Sequence, residues 1–212
     1  MMEYVSKSEV KPYRDLFEKE IISIIRTECK QKGLTFVCQL VGSARRNLIV
    51  RHHNKGFDCD YQILIKKNVA KLSGKDIKML LLACFNKYMP DCFDYCEDST
   101  SAITIKQKHG NKIQFSYDIV ILLENDKGQI QILRRVRNGE QYNYIWNLLP
   151  NSNNLEDKIK LIESTNHYDE LCELYYQKKV NKISGSNYQE RKSFQLLNEA
   201  ANEIIGKYRI RY

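Results

Sequence analysis

Apolar residues recur at helical spacing from about residue 10 to residue 30, where Tyr13, Phe17, Ile21, Ile24, Ile25 and Cys29 stand among Arg, Glu and Lys. That period predicts an amphipathic helix with one buried stripe, stopped at Gly33. The pattern then changes. LTFVCQLV (Leu34–Val41) is β-rich and runs directly into Gly42–Ser43. FDCDYQILI (Phe57–Ile65) alternates, so Phe57, Cys59, Tyr61, Ile63 and Ile65 share one face of a strand. Asp58, Asp60, Gln62 and Leu64 share the other. Ser73 reads as the N-cap of a helix through Tyr88 that turns Ile77, Leu80, Leu81 and Cys84 inward, with Pro90 as its stop. SAITIKQK, a turn at HGNK, and IQFSYDIVILL predict a β-hairpin, and NDKG leads on into QIQILRRV. Residues 34 to 136 therefore supply about five strands and one internal helix, with another helix in front.

The pattern changes again after Arg137. RNGEQYNYIWNLLPNSNN carries Pro150 and an Asn/Ser cluster and reads as a loop. From Leu155 onward the spacing is helical, through EDKIKLIES, HYDELCELYYQKK and SNYQERKSFQLLNEAANEIIGKY. The fold class expected is α+β: a mixed, mainly antiparallel sheet flanked by helices over residues 1–137, then a helical C-terminal region over 138–212.

Composition adds boundaries to that picture. The 212 residues are 42% hydrophobic and 28% charged, which suits a soluble protein with a real core. No apolar run reaches the length of a membrane span. The N-terminus is polar and lacks the apolar stretch of a secretory signal, so a cytoplasmic location without membrane partners is expected. Seven cysteines at scattered spacings, none in a CxxC pair, read as reduced thiols. The net charge of +8 suits a phosphate-rich partner, a nucleotide or RNA, although the basic residues are spread along the chain.

The two aspartates of the alternating strand need a reason, because buried charge is costly unless paired. Asp58 and Asp60 are i and i+2, so both point to one face with Cα atoms ~7 Å apart. Asp118 interrupts FSYDIVILL in the same way. If the two strands are neighbours, three hard oxygen donors converge. Such a set suits Mg²⁺ or Mn²⁺, which take the rest of their shell from water and substrate phosphates. Gly42–Ser43 follows a strand and precedes a helical turn, where backbone N–H groups and a hydroxyl can approach phosphate, with Arg45 and Arg46 next in sequence.

The ordered set Val41-Gly42-Ser43, Phe57-Asp58-Cys59-Asp60-Tyr61 and Tyr117-Asp118-Ile119-Val120 resembles the nucleotidyltransferase superfamily of the DNA polymerase beta type. In look it is nearest to the branch holding cyclic GMP-AMP synthase, oligoadenylate synthetase and their bacterial relatives. The gap from Ser43 to Asp58 and the SYDIVILLE around Asp118 point that way. The resemblance covers residues 10 to 136. It implies a two-metal enzyme that transfers a nucleoside monophosphate from an NTP to a hydroxyl and releases pyrophosphate. Asp58, Asp60 and Asp118 would hold Mg²⁺ or Mn²⁺, and Asp118 would bind the ion near the acceptor or act as its base. Gly42, Ser43 and Arg46 would meet the triphosphate.

The acceptor implied is a second nucleotide, giving a linear or cyclic oligonucleotide signal. Transfer to RNA, protein or a small molecule such as an antibiotic is the alternative within the same chemistry. A non-catalytic nucleotide- or RNA-binding module is the alternative outside it. The tail residues Tyr175, Tyr176, Lys178, Lys179, Ser186, Tyr188 and Lys192 have the character of base and phosphate contacts, and Ser186 with Tyr188 is the preferred pair. His52–His53 lie in a polar loop and are not expected to be the base. Asp91, Asp94, Glu97 and Asp98 are expected in a solvated loop.

Overall fold

A computed structural model describes residues 2–52, 56–149, 154–184 and 193–210. Contacts divide the chain into two compact units, residues 3–149 and residues 150–212 with the first two residues.

The larger unit begins with a short strand, β1 (Met2–Tyr4), followed by α1 (Lys7–Asp15), a π-helical stretch (Leu16–Ile21) and α2 (Ile22–Gln31). Ser6 and Glu9 close a reciprocal capping box at the start of α1. The π stretch widens the turn and shifts the apolar stripe. Ile22 is buried, whereas Ile24, expected on the buried face, is exposed. Gly33, at φ +75°, ends the helical run and starts β2 (Leu34–Val41). The single turn α3 (Gly42–Arg45) and β3 (Val50–His52) lead to β4 (Phe57–Asn68). Next come α4 (Gly74–Tyr88), capped by Ser73 and Asp76 as a second capping box, and β5 (Glu97–Asp98). The unit is completed by β6 (Ala102–His109), β7 (Lys112–Glu124), β8 (Ile130–Asn138) and β9 (Gln141–Leu148).

The main sheet has seven strands among the described residues. Its path is β2-β4-β7-β6-β5, with β8 and then β9 added along the far end of β7. All neighbours are antiparallel except β4 and β7, which run parallel. One more small pair joins β1 to β3.

Two strands of the main sheet were not expected. β9 occupies sequence that reads as a loop, because its alternation is diluted by two asparagines, Asn143 and Asn147. Asn138–Gly139 is nonetheless a hairpin signal, and Asn138 pairs with Gln141 across it. The larger unit therefore runs on to Leu149. β5 is only two residues long, too short to leave a period.

One sheet face carries the core. Phe17 is fully buried, with its ring 4.3 Å from that of Tyr61 and 4.6 Å from that of Tyr117. Ile25 and Cys29 from α2, and Ile77, Leu81 and Phe85 from α4, belong to the same cluster as Cys59, Ile63, Ile119 and Ile121 of the sheet. Burying one such side chain contributes about 1.5–3 kcal/mol. The tyrosine hydroxyls keep partners at the margins: Tyr61 donates to Glu18 at 3.0 Å and Tyr117 to the Tyr13 carbonyl at 2.7 Å. With this face given over to packing, the alternate residues of β4 and β7 project from the other.

The smaller unit contains α5 (Leu155–Ser164), α6 (Tyr168–Ser184) and α7 (Ser193–Tyr208). Leu155, Ile159, Ile162, Leu171, Tyr175, Leu196, Ala200 and Ile204 are buried in it. No helix among the described residues is long and apolar enough to cross a membrane.

Candidate active site

Parallel pairing of β4 with β7 sets Asp60 opposite Asp118, one register position beyond Cys59 opposite Tyr117. Because Cys59 and Tyr117 are fully buried, strand alternation turns both aspartates to the other face, and Asp58 joins them two residues earlier. One carboxylate oxygen from each of Asp58, Asp60 and Asp118 lies within 4.8 Å of the others. The sequence expectation that the three acids converge is met. Three ionised carboxylates at such distances repel one another by on the order of 1–4 kcal/mol per pair, between the water and protein-surface limits. A divalent cation reverses that sign, and an all-oxygen donor set fits Mg²⁺ or Mn²⁺.

The Gly42–Ser43 turn meets the same cluster. β2 pairs antiparallel with β4, which puts Val41 opposite Asp60. The chain then turns at Gly42, whose φ of +66° lies in the left-handed region. A Cβ on Gly42 would stand 2.4 Å from Oδ2 of Asp60. Glycine is therefore required twice, once by the backbone and once by the carboxylate packed against it. Beyond it, Ala44 is buried and holds the turn down, and the Leu48 N–H returns to the Ser43 carbonyl at 2.9 Å. The Arg46 guanidinium reaches back to the Gly42 carbonyl at 3.4 Å, whereas Arg45 is exposed. Gly42, Ser43 and Arg46 are thus gathered beside Asp60.

Asp118 has a further neighbour that sequence reasoning missed. Thr104, on β6, lies opposite Asp118 and donates from Oγ1 to Oδ1 of Asp118 at 2.6 Å. The hairpin between β6 and β7 starts with His109 opposite Lys112 and Lys108 opposite Ile113, and then Gln107 stands opposite Phe115. Gln114 is the extra residue of a β-bulge. Without that bulge Thr104 would oppose Tyr117 on the packed face. Gly56 explains how β4 accommodates it, since a Cβ there would come within 2.4 Å of the Ile113 carbonyl and 2.7 Å of the Gln114 carbonyl. The only sequence signals were Thr104 between Ile103 and Ile105, and a glycine before Phe57.

Other candidates separate from this site. Asp98 is not in a solvated loop. It lies on β5 and forms an ion pair with the buried Lys78 at 3.2 Å and with Arg135 at 3.4 Å, and it accepts a hydrogen bond from Tyr144. Burial depresses the Lys78 ammonium below its ordinary range, and Asp98 opposes that shift. Asp91 and Asp94 are exposed outside the strands as expected, and Glu97 is exposed but lies on β5; Asp94 and Glu97 pair with Lys108 and Lys106. Tyr175 packs in the core of the smaller unit and Lys178 pairs with Glu203, so both have structural partners there. Ser186, Tyr188, Lys192 and His53 lie outside the described residues, and His52 ends β3.

No family model and no curated protein matches the sequence. Solved structures do match. The GTP-bound form of Vibrio cholerae DncV is 16% identical, with a TM-score of 0.59 over 95% of this chain and 52% of that one. The STING-associated CdnE c-di-GMP synthase from Capnocytophaga granulosa is 19% identical, with a TM-score of 0.59 over 97% of this chain and 63% of that one. CdnC from E. coli, with ATP, is 14% identical, with a TM-score of 0.59 over 96% of this chain and 62% of that one. The chain spans about half to two-thirds of the length of these neighbours. Another structure of the Vibrio protein describes it as a cyclic AMP-GMP synthase and a prokaryotic homologue of cGAS. The resemblance read from the Gly-Ser turn and the three acids therefore holds at the level of fold.

Proposed function

We propose that the protein is a divalent-metal-dependent nucleotidyltransferase that joins nucleotides into a linear or cyclic oligonucleotide signal. The observation that carries this reading is the meeting of Asp58, Asp60 and Asp118 within 4.8 Å of one another, beside a turn where both the backbone and the Asp60 carboxylate favour glycine. Structural neighbours holding GTP or ATP, and one described as a c-di-GMP synthase, support the choice of nucleoside triphosphates as substrates.

Asp58, Asp60 and Asp118 would hold Mg²⁺ or Mn²⁺, which supplies electrostatic stabilisation of the charge developing on the transferring phosphoryl group and the leaving pyrophosphate. Gly42 lets the backbone of its turn lie close beside Asp60, so phosphate oxygens can approach the amides and the Ser43 hydroxyl without a Cβ in the way. Arg46, tied to the Gly42 carbonyl, adds positive charge at that turn. The acceptor hydroxyl attacks the α-phosphorus and gives up its proton to Asp118 acting as base, a new P–O bond forms, the bond from the α-phosphorus to the oxygen bridging to the β-phosphate breaks, and pyrophosphate leaves. Asp118 stands between Asp60 of β4 and Thr104 of β6, where it would bind the ion near the acceptor hydroxyl or take its proton.

The test is incubation with radiolabelled ATP, GTP, CTP and UTP, singly and in pairs, with Mg²⁺ or Mn²⁺, followed by chromatography. A product that resists phosphatase but yields to nuclease supports cyclisation, and a phosphatase-sensitive product supports a linear oligonucleotide. Absence of any nucleotide product and of pyrophosphate release with every pair contradicts the proposal. Salt-dependent RNA binding without turnover would instead identify a binding module.

A further inference from the structure

Resting on the metal-site reading above, we propose that Thr104 is the positioning residue that aims the Asp118 carboxylate at the cation. Thr104 is 91% removed from solvent, and tyrosines and cysteines apart it and Lys78 are the buried polar side chains among the described residues. Its hydroxyl has one hydrogen to donate. That hydrogen goes to Asp118 Oδ1 at 2.6 Å, because an ionised carboxylate can only accept. The Ser99 hydroxyl, 3.0 Å from Thr104 Oγ1, must then be the donor in the second bond. The direction of the chain is therefore fixed: Ser99 to Thr104 to Asp118.

The far end of this chain is anchored. Lys78 Nζ donates to the Ala102 carbonyl at 2.8 Å and to the Ser99 carbonyl at 3.3 Å. It therefore pins both ends of the turn between β5 and β6. Asp98 balances its charge, and Arg135 and Tyr144 hold Asp98. A buried ammonium on α4 thus fixes the backbone that carries Ser99, and Ser99 fixes the hydroxyl that holds Asp118. The bulge at Gln114 belongs to the same device, because it alone brings Thr104 opposite Asp118. The bond leaves the second Asp118 oxygen, and one lone pair of the first, available to a cation. A carboxylate without this restraint samples rotamers that point away from Asp58 and Asp60.

The decisive experiment titrates Mn²⁺ alone into the purified protein, with free Mn²⁺ followed by electron paramagnetic resonance. Thr104→Val keeps the β-branched shape and removes the hydroxyl. It should weaken Mn²⁺ binding by about 10-fold or more, as loss of a partner behind a metal ligand generally does. Thr104→Ser, which restores the donor, should bring affinity back to within about threefold of the parent. Ser99→Ala should fall between them. Circular dichroism and thermal midpoints separate positioning from unfolding: Thr104→Val should stay folded while binding weakens. Parent-like Mn²⁺ affinity in Thr104→Val would overturn the proposal, as would a Thr104→Ser variant that stays folded but binds as weakly as Thr104→Val. Asp60→Asn identifies the other failure. If the parent and Asp60→Asn bind Mn²⁺ equally, the metal site itself is wrong. If Asp60→Asn alone loses Mn²⁺, the site stands and the role of Thr104 falls.

Discussion

Asp98 and the trio Asp58, Asp60 and Asp118 are acids on strands of one sheet with different company. Asp98 is met by Lys78, Arg135 and Tyr144, so the protein supplies the opposing charge and a hydroxyl from its own chain. The trio converges to within 4.8 Å, so acid meets acid. The first arrangement is a structural solution, in which a half-buried carboxylate is neutralised where it stands. The second sets like charges side by side, a repulsion that a divalent cation would offset. Altering the trio should therefore tell chiefly on activity, and altering the Asp98 cluster chiefly on stability.

The largest effect expected is at the trio. Asp60→Asn should lower nucleotidyl transfer by about 10³-fold or more, equivalent to ~4 kcal/mol in the barrier. Its thermal midpoint should stay close to that of the parent, because the amide keeps the shape of the side chain and lowers the charge of a cluster of acids. A midpoint well below the parent's would break the comparison. Lys78→Met should act first on stability. Leaving Asp98 without its buried partner should cost about 3–5 kcal/mol in urea unfolding. The double variant Lys78→Met/Asp98→Asn should recover part of that loss, and purely additive losses would show that the two residues do not interact.

Gly42→Ala should destabilise the fold by about 1–2 kcal/mol, the cost of a side chain in the left-handed region. Turnover should fall further than stability, since the new Cβ displaces the Asp60 carboxylate. Equal, small losses in both would separate the turn from the acids.

The smallest effect expected lies at Tyr144. Burial, helped by the hydrogen bond to Asp98, pushes its hydroxyl up to about 12. An acid whose folded pKa is raised stabilises the fold fully below its unfolded value, and that contribution is lost as pH rises through the folded value. The parent should therefore lose stability between about pH 10 and pH 12, and Tyr144→Phe should lose less over the same window. Thermal midpoints at pH 8 and pH 11 measure the difference, and identical slopes would remove Tyr144 from the Asp98 cluster.

Much of this was legible in the residues. Strict alternation in FDCDYQILI and FSYDIVILL put Asp58, Asp60 and Asp118 on the unpacked face, and Ser73 marked the start of α4. What stayed hidden depended on register or on tertiary partners. Ile24 left the buried stripe because a π-helical turn precedes it, and no period announces such a turn. Thr104 faces Asp118 only because Gln114 bulges, which the turn sequence HGNK does not disclose. Asp98 sat among other acids in the sequence and found Lys78 only through folding, so local composition misdescribed it. β9 was concealed by its asparagines despite the Asn138–Gly139 signal.

The central claim is that Asp58, Asp60 and Asp118 form a cation site for nucleotidyl transfer, and pyrophosphate release from paired NTPs tests it most directly. The parent should release pyrophosphate with Mg²⁺ or Mn²⁺, stop on addition of EDTA, and resume when metal is restored. Asp118→Ala, folded by circular dichroism, should release none under any of these conditions. Release by Asp118→Ala at the parent's rate, or release by the parent that EDTA does not affect, would contradict the account.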